Sequence, residues 1–506
     1  MSRKRSISKP GSVLGLFVAA VLVFGTAPIA VADLDYFDRP DPLTLAECPE
    51  WLKADAPFDV EAFYAMPDEG NNAAPLYPYA LEEFDRSIHP DRSERLYELM
   101  TGLDSHPILM DREFADALLD ELDDGFLKLA VAQWRPLCVF TIDHPYRMQE
   151  AARAVARATR VRVFRDVERG ELDRPIRDVA MCLRLSRDSR LRGRDFTQIF
   201  SMAIDNAVWS EILPLLVGSP LFEVEHCDRL LSLLREHEEL GLDRYATGER
   251  TNYITRRVAL RLFQDKRRLS VDADGRIGEV EVDPGYLALK FLRITDSETW
   301  SVPEAAVKAN AEWMGRAAAA LREHEPLWEQ ERRAFEDFYR IAVSTRASGY
   351  AERVGALREA SAKWLGDKEN PSPLWLARAL VMGFPYEDRY DPEFAIRAFE
   401  RSDAHLRSWK CLIALRRWRL SRPDAGEPPS LDEACRAAGL PGTPIDPFSG
   451  EALKSITVDG RVVVYSIGPD GVDDQGRKDA RHMTDWEGDF VFPMAEVAAW
   501  PPLPKK

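Results

Sequence analysis

Six aspartates crowd one turn-rich stretch near the C-terminus: Asp470, Asp473, Asp474, Asp479, Asp485 and Asp489. Like charges this close repel unless a cation or solvent compensates them. Hard oxygen donors on a loop suit calcium, which takes about 6 to 8 oxygens at variable geometry, better than the stricter octahedron of magnesium. The chemistry on offer is therefore cation binding. Arg477, Lys478 and Arg481 lie among the same acids, so direct ion pairing is the metal-free alternative. Two strand-like runs, Lys454 to Val458 and Arg461 to Ile467, position the loop. They flank Asp459-Gly460, a dipeptide that supplies the positive dihedrals of a tight type I′ hairpin. This is the strand-rich, turn-punctuated segment of an otherwise helical chain.

These residues carry a resemblance. DPFSG at Asp446, the hairpin, YSIGPDG at Tyr465 and GDFVF at Gly488 together resemble the C-terminal sheet of the major pseudopilin of type II secretion systems. In that family the corresponding acidic loop binds calcium. The resemblance implies Asp470 and Asp489 as the first ligands of such a site, with Asp473 and Asp474 next. The insert from Arg477 to Glu487 lengthens the loop relative to that pattern. Upstream, LIALRRWRL at Leu412 and PPSLDE at Pro428 are similar to the helix and connector that precede this sheet in pseudopilin-type domains. NNAAPLYPYALEEF at Asn71, RPLCVF at Arg135 and RGELDRPIRDVAMCLRLSR at Arg169 resemble exported bacterial proteins of unknown function that join a helical body to such a module.

The chain has 506 residues, about three domains' worth of material and ample for a large core. Its formal charge is −17. Arg3, Lys4, Arg5 and Lys9 face no acid in the first 32 residues, so the remainder is more acidic still, and nucleic acid is not an expected partner. Residues 1–32 read as a signal peptide: a basic start, an apolar run from Val13 to Phe24, breakers Gly25 and Pro28, and small Ala30 and Ala32 before Asp33. Left uncleaved, the segment from Val13 to Ala32 is long enough to anchor the chain in a membrane of about 30 Å. Either way the body is expected outside the cytoplasm, in the periplasm or cell envelope.

The six cysteines show neither a CxxC pair nor a histidine at ligand spacing, so zinc is not expected. Cys182 and Cys227 fall on apolar helical stripes, where a thiol acts as a small hydrophobe. Cys48 and Cys138 lie off the stripes and are candidates for a bridge between arm and body.

Residues 33–110 read as an N-terminal arm followed by first helices, and 111–400 as a helical body. One stripe is Leu172, Ile176, Val179, Ala180 and Leu183. A second is Phe196, Ile199, Phe200, Ala203, Ile204, Ala207 and Val208, and a third Cys227, Leu230, Leu231 and Leu234. Gly170 and Gly218-Ser219-Pro220 mark short joints between them. The expected fold is mainly α: irregular antiparallel helical hairpins, tetratricopeptide-like but without a strict period, with a small C-terminal α+β pseudopilin-like module over 405–495. A hairpin insert is expected near 267–283, around Asp274-Gly275, and a long helix from Pro303 to Ser344.

GxSxG, GxxxxGK[ST], HExxH and a strand-borne GxGxxG are all missing from the sequence. His144, beyond RPLCVF, has no nucleophile near it in sequence and reads as a cap or surface histidine. These features favour a non-enzymatic, exported scaffold or interaction protein with protein partners in the cell envelope. The alternative is an all-helical carbohydrate-active hydrolase, with two carboxylates about 5 to 10 Å apart in a tryptophan-lined cleft. Acids on helices usually mark a solvated face and tryptophans usually mark core.

Overall fold

The computed structural model describes residues 50–87, 112–140, 146–190, 195–264, 267–271, 277–281, 325–344, 349–365, 392–424, 430–458, 461–476 and 487–493. Cys48, His144, Asp479 and Asp485 lie outside the described residues, as do the proposed leader and 303–324. The chain is mainly helical with small antiparallel sheets.

Two short helices, α1 (Glu50–Lys53) and α2 (Val60–Tyr64), lead into α3 (Tyr77–Ser87) and α4 (Arg112–Gln133). α3 and α4 cross so closely that a Cβ on Gly125 would stand 2.9 Å from the Phe84 ring, so glycine is the residue that permits the contact. Then come α5 (Tyr146–Glu168), α6 (Asp173–Arg190) and α7 (Asp195–Ala207). A five-residue π-helix (Val208–Ile212) runs on into α8 (Leu213–Val217). α9 (Val224–Glu239) and α10 (Arg244–Gln264) follow. The expected insert is an antiparallel pair, β1 (Arg267–Val271) and β2 (Ile277–Glu281). Next are α11 (Glu325–Ser344), α12 (Tyr350–Leu365) and α13 (Pro392–Ser421), whose 30 residues run unbroken through the 400–405 boundary expected between body and C-terminal module. α14 (Leu431–Ala437) starts at Ser430, whose hydroxyl accepts from Glu433 N. Three strands close the chain: β3 (Lys454–Val458), β4 (Arg461–Ser466) and β5 (Phe490–Pro493), paired antiparallel in that order. Val458 opposite Arg461 sets the register of a two-residue hairpin.

The hydrophobic stripes go where their period sends them. Leu172, Ile176, Val179 and Leu183 are buried, as are Cys227, Leu230, Leu231 and Leu234. They join a first core that also takes Leu406 to Trp418 of α13, Cys435 of α14 and Val464 of β4. A second core is aromatic: Tyr253, Phe335, Phe338, Tyr339 and Tyr350 meet Phe448, Phe490 and Phe492 of the C-terminal segment. Ile396 and Phe399 place the N-terminal half of α13 in this second core. One helix therefore belongs to both cores, and the C-terminal sheet shares its apolar contacts with the body. Phe200–Val217 is apolar enough to pass for a membrane span, yet 61% of it is buried among neighbouring helices.

One expectation is overturned inside the helical body, where many acids are interior. Asp166, Asp178, Asp188 and Asp205 are buried, each against arginine: Arg174 for Asp166, Arg162 for Asp178, Arg184 at 2.8 Å for Asp188, and Arg190 at 2.6 Å with Arg244 for Asp205. Tyr77 donates to Asp188 at 2.5 Å. A buried charge persists only when paired and hydrogen-bonded, so the pairs that cross between helices, to Asp166, Asp178 and Asp205, dictate which helices meet, while Arg184–Asp188 lies within α6.

A loop and a cleft on the last strand

The DPFSG motif has a mechanical role. Asp446 is buried, accepting Phe448 N (3.1 Å) and Ser449 Oγ–H (3.1 Å) within its own turn, and Ser466 Oγ–H (2.8 Å) and Ile467 N (3.1 Å) at the end of β4. This latch fixes the point where the acidic loop leaves the sheet. At Gly468 the backbone is left-handed (φ +71°), and a Cβ there would lie 2.2 Å from Gly488 O, so the outgoing and returning arms of the loop touch.

The two aspartates backed first by resemblance staple those arms reciprocally. Asp470, on the outgoing arm, accepts Gly488 N at 2.8 Å from the returning one. Asp489, on the returning arm, accepts Gly476 N at 2.6 Å and Asp474 N at 3.4 Å from the outgoing one. Asp473 turns elsewhere: Lys454 Nζ (2.7 Å), Tyr465 OH (3.2 Å) and Gln475 N (2.9 Å) donate to it, and the lysine holds its carboxyl below the ordinary range. Asp489 is fully buried. Burial pushes its carboxyl up; the two amides oppose that, while Asp473 and Asp474 add to it. Among the described residues no three carboxylate, thiol or imidazole groups converge as a ready ligand set. The carboxylates of Asp470, Asp474 and Asp489 are hard donors of the kind calcium prefers, with those of Asp470 and Asp489 already accepting backbone amides.

The strand that Asp489 introduces also forms one wall of a cleft of about 380 Å³, between β5, α13 and the π-helix. The π turn has a local cause. Pro214 has no N–H to give the carbonyl of Ser210, and its ring crowds that carbonyl. Leu213 N instead reaches back five residues to Val208 O, which widens the helix beside the cleft. Trp409 Nε1–H donates to Trp209 O at 2.8 Å, tying α13 to the widened turn. Opposite, His405 stacks on Phe492 with centroids 4.8 Å apart, and Arg401 lies over Phe490 at 4.6 Å. Burial, reinforced by Arg401, depresses the His405 imidazole to about 3, so it is neutral at ordinary pH.

Two residues beside this cleft carry donors that are sealed from it and have no acceptor, Trp209 Nε1 and Ser402 Oγ. Trp209 and Trp409 are core residues, as the sequence predicts for tryptophan; the cleft beside them is what the sequence does not announce directly. Pro214 inside an apolar helical run was the available signal. Compared with protein-family models, curated proteins and solved structures, the chain finds no match.

Proposed function

We propose that the protein is an exported, non-enzymatic scaffold of the cell envelope. In this reading its C-terminal sheet, pseudopilin-like in the order of its motifs, presents a calcium-stabilised loop to protein partners, and the tetratricopeptide-like hairpins form the supporting body. One observation carries the calcium element: Asp489 is buried at the base of a loop whose arms are stapled by Asp470, with Asp473 and Asp474 as its near charges. A buried carboxylate beside other carboxylates is costly, and a divalent cation supplies the missing charge. The engagement of the helical acids with interior arginines favours a structural use of those acids over a hydrolytic one.

Thermal melting with calcium against chelator tests the reading, with magnesium as the control. Binding only to the folded state at a hundredfold excess over the dissociation constant stabilises it by about 2.7 kcal/mol. The expected result is a calcium-dependent rise in Tm that Asp470→Asn with Asp489→Asn abolishes. Equal melting of the wild type with calcium and chelator, or an unchanged shift in the double variant, refutes it.

A further inference from the structure

Cys411 on α13 and Cys435 on α14 stand with their sulfurs 4.0 Å apart, and both are fully buried free thiols. The other described cysteines face different groups: Asp188 and Arg184 lie near Cys138, Thr159 hydrogen-bonds Cys182, and Arg416 lies near Cys227. The two helices that carry the pair are aligned by contacts of their own. Arg417 of α13 donates to Ala437 O at the end of α14 at 3.0 Å, Ser430 caps the start of α14, and Leu412, Leu415, Leu431 and Ala434 share one core with both cysteines. The sulfurs need to close by about 2 Å to reach the length of a covalent S–S bond. Burial and the contact with Cys435 push the Cys411 thiol well above its ordinary value, so in the finished fold it is not the thiolate that attacks a disulfide. The growing fold differs. The cysteines are only 24 positions apart, whereas the bonds of Trp409, Lys410 and Arg417 to the body span 172 to 200 residues, so α13 and α14 can meet while their inner faces are still open to solvent.

We propose that Cys411 and Cys435 are a disulfide site, a covalent link between α13 and α14 that forms while the chain folds in the presence of a low-molecular-weight disulfide. One thiolate attacks that oxidant and breaks its S–S bond, giving a mixed disulfide and releasing one small thiol. The second cysteine attacks the protein sulfur of the mixed disulfide and releases the other small thiol. Two protein thiols are thereby oxidised to one disulfide, and one small disulfide is reduced to two thiols. Closure of α13 against the body then buries the bond away from reductants. The link constrains the unfolded chain and secures α14 to the helix that both cores share. Neither thiol is part of the acidic loop, so the bridge stands or falls apart from calcium binding.

Cell-free synthesis of the full chain in a buffer of oxidised and reduced glutathione, beside a synthesis in reductant alone, tests the proposal. Free thiols are blocked, and the soluble protein is digested with trypsin without reduction. Cleavage after Lys410, Arg416, Arg419 and Arg436 puts the two cysteines on separate peptides, 411–416 and 420–436. The expected product is these two peptides joined, two hydrogens lighter than their sum and separated by reductant. The bridged protein is expected to melt about 3 °C above the reduced one, a gap that Cys411→Ala with Cys435→Ala removes. Both peptides recovered with blocked thiols after synthesis with the oxidant, either cysteine joined to a different partner, or a bridged protein that melts no higher than the reduced one overturns the proposal. The peptide map uses the wild-type chain, so it decides the matter even where the double variant folds poorly.

Discussion

Replacing Asp205 by asparagine is the sharpest test of the buried ionic interior. Asp205 sits on α7, fully buried, with Arg190 of α6 at 2.6 Å, Arg244 of α10 in contact and His237 of α9 at 3.5 Å, so four helices meet on one carboxylate. The two arginine side chains are only 4% and 5% exposed. Asparagine keeps the shape and one acceptor but removes the negative charge that both buried guanidinium groups share. Removing one partner of a buried pair costs about 3 to 5 kcal/mol. Arg244 keeps Asp403 at 3.0 Å and Arg190 keeps Ser186 Oγ at 3.0 Å, which places the expected loss at about 3 to 4 kcal/mol, a drop in Tm of about 3 to 4 °C for a chain of 506 residues. Burial alone would raise the Asp205 carboxyl, but Arg190, His237 and Arg244 overcome it and hold it well below the usual range. A depressed folded value means that the stability is present above the unfolded value near 3.8 and lost as pH falls below it. Melting curves from pH 7 downward should therefore show wild type and variant converging in acid. Asp337→Asn is the control, since its 2.7 Å pair with Arg340 is about 60% exposed on both sides and should change stability by less than about 0.5 kcal/mol. An Asp205→Asn protein that melts within about 1 °C of wild type at pH 7 would refute the idea that this carboxylate holds the four helices together.

Glu400 gives the opposite pH dependence: burial and Asp403 push its carboxyl up to about 8 despite Arg353 at 3.1 Å. A raised value means that stability is fully present below the unfolded 4.5 and declines as pH climbs toward 8. Glu400→Gln should flatten that slope in a Tm-against-pH series, and parallel curves would exclude it. Gly468→Ala adds a Cβ 2.2 Å from Gly488 O at a positive φ, and should cost about 2 kcal/mol or more while loosening the loop. Gly439→Ala, equally left-handed (φ +78°) but with nothing within 4 Å, should cost about 1 kcal/mol. Equal destabilisation by the two would show that the crossing of the loop arms does not matter.

What the sequence made legible was local. Apolar spacing at Cys227, Leu230, Leu231 and Leu234 placed a buried helical face because period alone determines which side chains share a side. Asp-Gly after Val458 set a hairpin register for the same reason. Which acids of α5 to α7 turn inward is set mostly by an arginine on another helix: Arg174 for Asp166, Arg162 for Asp178, and Arg190 with Arg244, the latter 39 residues away, for Asp205. From spacing alone an acid in a core ion pair is indistinguishable from one in water. The loop was readable as acidic but not as a staple, since its carboxylates pair with backbone amides that have no side-chain signature. The cleft needed three elements brought together by packing, and only Pro214 announced one of them.

The shared helix α13 has a consequence for when this chain can finish folding. Its bonds reach far back: Trp409 to Trp209 across 200 residues, Arg417 to Asp228 across 189, Lys410 to Glu238 across 172. Closing such loops is entropically slow, and the contacts cannot form until residues beyond 400 exist. While the chain grows, the faces of α7 and α9 that α13 will cover stay open to water, a state prone to aggregation in large proteins. The C-terminal segment is thus the closing wedge of the whole molecule, and a chain cut short before α13 would be an unfinished fold with its two cores unsealed, not a smaller version of it.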